Sequence, residues 1–453
     1  MKEIRKLSAQ FYSMTQSKHQ LQYPDDQLVR WKDDDEALIA KYVQKYMEIL
    51  RVENGQVKTS ETILLDVYRR ILSEYIELHE ITDLETKMGL LFHSAFLRLK
   101  KYNKQDIYMF RHELAAEVRS RMNRPVHTYR VLFPLHLTDL GKGDKKQFIC
   151  YGLHFQLDSW RNTQSENALD NALNDPRVKI REVEYDLFNF FLPTLIEISA
   201  RDPYEAYEKT LEAFDNFRSV MNLLSQSGKY TIQAGQPRPI AKYLAGPIQI
   251  VFSEDGLEQL TYIENRPSLN IRKNVVEVTH IDNAISFSND LALSSDKLST
   301  RQLLIDAIRR YGVALDTTQW HITFLSLWQV LELISISQPG DQRAKQRIKT
   351  LLARNEYLKD LLNILPRTRN NLVHRGVFPS DAGFLEVQML KLVVDAAIIR
   401  LWELRDDLPT ISSVKEYYSY VSLSDSVIAI QISNSTNPQQ IEVLNFIQKS
   451  RNK

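Results

Sequence analysis

The sequence predicts an α+β multidomain protein: a helical N-terminal region, a central α+β domain and a C-terminal all-α helical bundle. Three observations carry this. Apolar residues recur at helical spacing up to about residue 122 and again beyond residue 300. Between those stretches the chain turns to short apolar runs, some alternating with period two. A length of 453 residues, at roughly 150 residues per domain, accommodates about three domains. The expected boundaries are 1–123 (helical), 124–299 (α+β, sensing or regulatory), 300–410 (helical bundle) and 411–453 (C-terminal extension).

In the first segment Leu38, Ile39, Tyr42, Val43, Tyr46, Ile49 and Leu50 keep helical spacing behind Asp33-Asp34-Asp35. A second helix is expected over Thr59–Leu78. Thr82-x-x-Glu85 matches a capping box and opens a third, and a fourth covers about Lys104–Met122. After Arg124-Pro125, Val126–Leu137 and Gln147–Leu157 read as strands joined by the turn Gly141-Lys142-Gly143-Asp144. Val178, Ile180, Val183 and Tyr185 approximate a half-buried strand, and Leu195–Ile198 another. Asp202-Pro203-Tyr204-Glu205 places an N-cap, a proline at the first helical position and an acid in the first turn, so a helix runs to about Leu224. Pro247–Phe252 returns to strand. Ile285–Thr300, with five serines, reads as a linker.

Beyond it, Ser299 or Thr300 caps a helix with Leu304, Ile308, Tyr311 and Leu315 on one stripe. Phe324, Leu327, Trp328, Leu331 and Ile334 form the next stripe. A basic helix follows, Pro366 is read as the start of another, and Phe384–Leu404 forms a long apolar one. The tail carries an expected strand, Val427–Ile432, and a short helix after Pro438. Trp320, Trp328 and Trp402 read as packing residues, and Tyr417-Tyr418 as a surface aromatic pair.

Composition excludes several function classes. With 43% hydrophobic and 25% charged residues the chain is neither disordered nor fibrous. A net charge of +1 excludes a uniformly basic nucleic-acid coat protein but leaves room for a local patch. The single cysteine, Cys150, forms no intramolecular disulfide and no Cys-rich zinc site. Met1-Lys2-Glu3-Ile4-Arg5-Lys6 lacks a signal-peptide core, and no window approaches the roughly 18 apolar residues of a membrane span. A cytoplasmic protein without a membrane partner is expected. P-loop, H-E-x-x-H and G-x-S-x-G motifs are absent from the sequence. Glu85-x-Lys87 falls in a helical pattern, which argues against a metal nuclease. No cofactor or metal is expected.

One constellation remains, Pro366-Arg367-Thr368-Arg369-Asn370-Asn371-Leu372-Val373-His374-Arg375-Gly376. At about 100° per residue, Arg367, Asn370 and His374 share a helical face, whereas Arg369 and His374 diverge by about 140°. Between Asp341 and Arg375 nine basic residues stand against three acidic ones. That local excess suits a phosphate backbone, with Arg343, Lys345, Arg347, Lys349 and Arg375 as candidate RNA contacts. Imidazole transfers protons near neutral pH and guanidinium holds phosphoryl oxygens, so the set fits RNA cleavage by 2′-hydroxyl attack. One chain supplies a single such histidine, so a homodimer is expected to supply the second acid or base. The plainer alternative for His374 is a helix-end histidine interacting with the last carbonyls.

Arg369-Asn370-Asn371-Leu372-Val373-His374 resembles the hallmark of the HEPN superfamily, an Arg and a polar residue followed by His after four to six positions. Arg367 also fits that spacing and is kept as an auxiliary. Phe324–Glu332 resembles the family's earlier helix, with Glu332 as its carboxylate. The resemblance covers about 300–410 and implies Arg369, Asn370 and His374 as catalytic residues of a metal-independent, dimeric endoribonuclease acting on RNA. The layout is similar to Apea-like bacterial proteins tied to phage defence, implying a toxin-like effector controlled by a phage-derived trigger or cognate regulator.

Overall fold

The computed structural model describes residues 25–32, 36–50, 52–53, 56–57, 67–68, 71–72, 75–78, 88–100, 106–137, 147–157, 191–225, 240–246, 248–254, 259–263, 281–293, 296–317, 319–337, 343–353, 355–376 and 383–451. It is a mixed α+β protein with a helical C-terminal region. The chain divides into two compact units, Met1–Val126 and His127–Lys453.

The first unit contains α1 (Asp25–Leu28), β1 (Val29–Trp31), α2 (Glu36–Ile49), β2 (Val52–Glu53), β3 (Gln56–Val57), β4 (Ile76–Leu78), α3 (Met88–Leu99) and α4 (Ile107–Met122). Each long helix buries one stripe, as its periodicity predicts. Tyr46 of α2 stacks on Phe96 of α3 at 3.8 Å, and Phe96 stacks on Phe110 of α4 at 4.5 Å. The expected helix over Thr59–Leu78 ends differently. Ile76–Leu78 is a strand pairing antiparallel with Val29–Trp31, because a backbone partner overrides a weak local preference. Thr82–Glu85, Glu85-x-Lys87 and Asp33–Asp35 lie outside the described residues.

The second unit opens with β5 (His127–His136), β6 (Gln147–Cys150), β7 (Leu153–Leu157), β8 (Phe191–Ala200), α5 (Pro203–Leu224), β9 (Ile248–Ser253) and β10 (Gln259–Ile263). The strands form one antiparallel sheet ordered β10-β9-β5-β8-β7-β6. Gln147–Leu157, expected as a single strand, is a hairpin. Tyr151 and Gly152 both adopt positive φ, 51° and 74°, the requirement of a tight primed turn. α5 starts as predicted, Asp202 accepting from the Glu205 N–H at 2.8 Å with Pro203 behind it. Its ring Phe214 stacks on Phe133 of β5 at 4.6 Å. The Gly141–Asp144 turn and the strand expected at 178–185 lie outside the described residues.

The rest is helical: α6 (Ile281–Ala292), α7 (Thr300–Asp316), α8 (Trp320–Ile334), α9 (Arg343–Leu351), α10 (Glu356–Arg375), α11 (Gly383–Glu403), α12 (Ile411–Tyr420), α13 (Asp425–Asn434) and α14 (Pro438–Arg451). α6 replaces the start of the expected serine-rich linker. Ile281, Ala284, Phe287 and Leu291 make a buried helical stripe that outweighs the serines between them. α13 replaces the expected strand Val427–Ile432. Ile428 is buried while Ser424 stands at the N-cap, so packing decides against the β-branched composition. The hydrophobic core of this unit is continuous from Tyr129 to Ile447 and crosses the boundary expected at 299/300 without a seam. α5 and α7 meet closely at Gly312, where an added Cβ would collide with the Ser219 hydroxyl. Among the described residues no helix is long and apolar enough to cross a membrane.

Candidate functional site

α10 carries the Arg/His segment. Asn355 caps its start, accepting from the Leu358 N–H at 3.1 Å. Leu358, Leu361, Leu362, Leu365, Thr368 and Leu372 form its buried stripe. Gly376, at φ 68°, ends it with its N–H donating to the Leu372 carbonyl. Pro366 therefore lies inside the helix rather than at its start. The cap lies eleven residues earlier and the leucine stripe begins eight residues earlier, and the ring costs the Leu362 carbonyl its helical donor. The candidate residues occupy the turns that follow.

Arg369 leaves α10 on the flank facing α8. Its Nη2 lies 3.9 Å from Glu332 Oε1 and its Nη1 donates to Asn370 Oδ1 at 3.4 Å. The first distance is an electrostatic contact, too long for a hydrogen bond. Glu332 is buried, and the Trp328 indole N–H one turn earlier donates to the same oxygen at 3.1 Å. Trp328 thus orients Glu332, and Glu332 faces Arg369. The two residues stand four apart, on one face of α8.

Arg367, Asn370, His374 and Arg375 are exposed. Helical geometry sets Arg367, Asn370 and His374 along one surface stripe. Among the described residues no hydrogen bond or ion pair joins Arg369 to His374, in keeping with their angular divergence. The chain brings Arg369 and Glu332 together and holds His374 apart at the surface.

The candidate RNA contacts divide. Arg347 belongs to the framework instead of a solvated face. Its Nη1 donates to the Ser335 and Ile336 carbonyls, both at 2.9 Å, and to Ser337 Oγ at 3.3 Å. Its guanidinium lies 5.9 Å from the Tyr418 ring centre. It closes the carbonyl end of α8, which carries unpaired acceptors. Lys349 donates to Asn363 Oδ1 of α10. Arg343 is exposed and Lys345 half-exposed. The pair Tyr417-Tyr418 is buried rather than on the surface, Tyr418 donating to the Ile334 carbonyl at 3.2 Å. Among the tryptophans, Trp328 is buried and Trp402 stacks on Phe287 at 4.6 Å.

Two polar pairs near the segment have no motif to mark them. Thr368 donates to Glu386 Oε1 at 3.1 Å, and burial raises the Glu386 pKa against that hydrogen bond. Lys391 pairs with the fully buried Asp395 at 2.5 Å, beneath the Tyr311 ring; burial raises the Asp395 pKa and Lys391 opposes it. Among the described residues no group of three or more His, Cys, Asp or Glu side chains is placed to hold a metal ion. The chain matches no protein-family model, no curated protein and no solved structure.

Proposed function

We propose that residues 300–410 are a HEPN-type helical bundle acting as a metal-independent endoribonuclease, in a toxin or antiviral-defence role. The observation that supports this best is Arg369 beside the oriented carboxylate of Glu332, on the helix that also presents His374 at the surface. In the reaction, the ribose 2′-oxygen attacks the adjacent phosphorus, a new P–O2′ bond forms and the P–O5′ bond breaks. One imidazole takes the 2′-hydroxyl proton and a second delivers a proton to the leaving O5′. Two copies of His374, one per subunit of a homodimer, fill those roles. Arg369 stabilises the charge that accumulates on the phosphoryl oxygens, and Glu332 positions it. Asn370 shares the exposed stripe and orients the substrate or His374. On this reading residues 1–299 restrain the nuclease until a phage-derived trigger or cognate regulator acts.

Purified protein should cleave RNA with EDTA present, leaving 2′,3′-cyclic phosphate ends. His374→Ala should abolish cleavage without unfolding the chain. Strict metal dependence, or full activity in that variant, rejects the proposal. A second reading, a non-catalytic module binding RNA, a nucleotide or a partner protein, draws support from Arg369 being already engaged by Glu332. It predicts binding without cleavage under every condition tried.

A further inference from the structure

The helical hairpin α9–α10 collects cations on one side. The connection between the two helices is only four residues, 352–355, so the chain returns antiparallel. The contact of Lys349 with Asn363 fixes the register. One turn back along α9 and one turn forward along α10, the same register carries Lys345 toward Arg367. On α10 itself Lys359, Asn363, Arg367 and His374 fall within about 80° of one another around the axis. From Lys359 to His374 the row is about 22 Å long at 1.5 Å per residue.

The ammonium groups crowd one another. Desolvation, then the neighbouring Lys345 and Lys359, lower the Lys349 pKa against the opposing pull of Asp360. Glu356 pairs with Lys359 at 2.7 Å. On this side Lys345, Lys349, Lys359 and Arg367 stand with the two carboxylates Glu356 and Asp360. Gathering like charges costs stability unless an anion joins them, and Arg347, which the fold itself consumes, shows that basic residues here are not all surplus.

We propose that this row is a track for single-stranded RNA, binding successive phosphates from Lys349 toward the scissile position at His374. The assignment rests on the nuclease reading for its end point. Lys345 and Lys349, and Lys359 and Arg367 through Asn363, repeat every one or two turns. A narrow strip of that kind, on one side of one helical hairpin, follows one strand, whereas a duplex needs contacts on both sides of a groove. In-line attack by a 2′-hydroxyl also requires a linkage free to leave helical geometry, which an unpaired strand supplies. Lys359, Asn363 and Arg367 thereby join the binding surface and Arg347 leaves it.

The test uses the full chain carrying His374→Ala, so that RNA is bound and not cut, with a labelled oligouridylate of about 12 nucleotides as probe. Lys345→Glu with Lys349→Glu should weaken binding at least about tenfold. It should also lower the slope of log affinity against log salt by about 1.4, at roughly 0.7 per phosphate contact. Lys345→Gln with Lys349→Gln should give the same loss of slope if charge reversal disturbs folding. Lys415→Glu, at an exposed position of α12, should change neither quantity. Unchanged affinity and slope in the double variants overturn the track, as does tighter binding of a duplex of equal length or no binding by the parent chain. The two proposals fail separately. Wild-type cleavage by the double variants removes the track and leaves the Arg/His chemistry. Full cleavage by His374→Ala removes the chemistry, and a lost salt slope still supports the track.

Discussion

Arg218 on α5 and Arg369 on α10 are the same side chain in opposite settings. Arg218 is 1% exposed and makes four hydrogen bonds: to both oxygens of Asp316 at 2.6 and 2.7 Å, to Asp215 at 2.9 Å and to the Tyr243 carbonyl at 3.1 Å. Burial works against its charge, but Asp316 and Asp215 outweigh that and raise its pKa. Arg369 is 23% exposed, donates one long hydrogen bond to Asn370 and meets Glu332 only at 3.9 Å. A guanidinium has five N–H donors. Arg218 spends four of them binding α5 to α7 and to the Tyr243 backbone. Among the described residues Arg369 spends one of them, on Asn370, while the Glu332 carboxylate faces it. Saturated pairing makes Arg218 part of the framework, and the proposed role of Arg369 needs the donors that this pairing would have taken.

The sharpest way to break that comparison is to remove each head group in turn. Arg218→Met removes a buried guanidinium from two partly exposed carboxylates and should cost about 3–5 kcal/mol in urea unfolding. Arg369→Met should cost below about 1 kcal/mol. Equal losses would erase the distinction. In an RNA-cleavage assay Arg369→Ala should reduce the rate by about 10²–10³-fold, the scale for losing one donor to a developing oxyanion. Arg369→Lys should restore little of it, because a point charge does not replace the planar fork.

Gly312→Ala probes the packing beside the Arg218 cluster. Its methyl group would meet Ser219 on α5, so a loss of about 1–3 kcal/mol is expected on thermal unfolding, with RNA binding by the folded protein unchanged. Glu332→Gln keeps an acceptor for Trp328 but removes the charge facing Arg369. Cleavage should fall by up to about tenfold, with stability changed by about 1 kcal/mol or less.

The smallest effect concerns pH. Burial pushes Glu205 up, but its hydrogen bonds with Lys209 and the Arg201 backbone, and their charges, hold its pKa below the ordinary 4.5. Its folded pKa lies below its unfolded one, so its contribution is present above that value and fades as pH falls through the depressed one. Glu205→Gln should flatten the acid limb of a stability-against-pH curve and leave the neutral region's slope unchanged.

Much of the helical architecture was legible because its signals are local. The stripe Phe324–Ile334 is buried as its spacing predicts, and the caps at Asp202 and Ser299 and the stop at Gly376 act on backbone groups a few residues away. The errors fell where a distant partner decided the outcome. Ile76–Leu78 became a strand because Val29–Trp31 lay beside it. Asp425–Asn434 became a helix whose Ile428 is buried, despite its β-branched residues. Pro366 was mistaken for a start because the leucine stripe before it was not joined to the segment after it. Within the candidate site, Arg369, His374 and Glu332 were legible as residue types at a spacing. The contact of Trp328 with Glu332 and the loss of Arg347 to α8 were not.

Taken alone, the amino-acid order determined where helices begin and end and which stretch concentrates basic residues around one histidine, since both follow from neighbours within a turn or two. Only the tertiary structure decided which of those cations the fold consumes. The carbonyls that claim Arg347 and the carboxylate that faces Arg369 come from another helix, and no local rule brings them within a few ångströms.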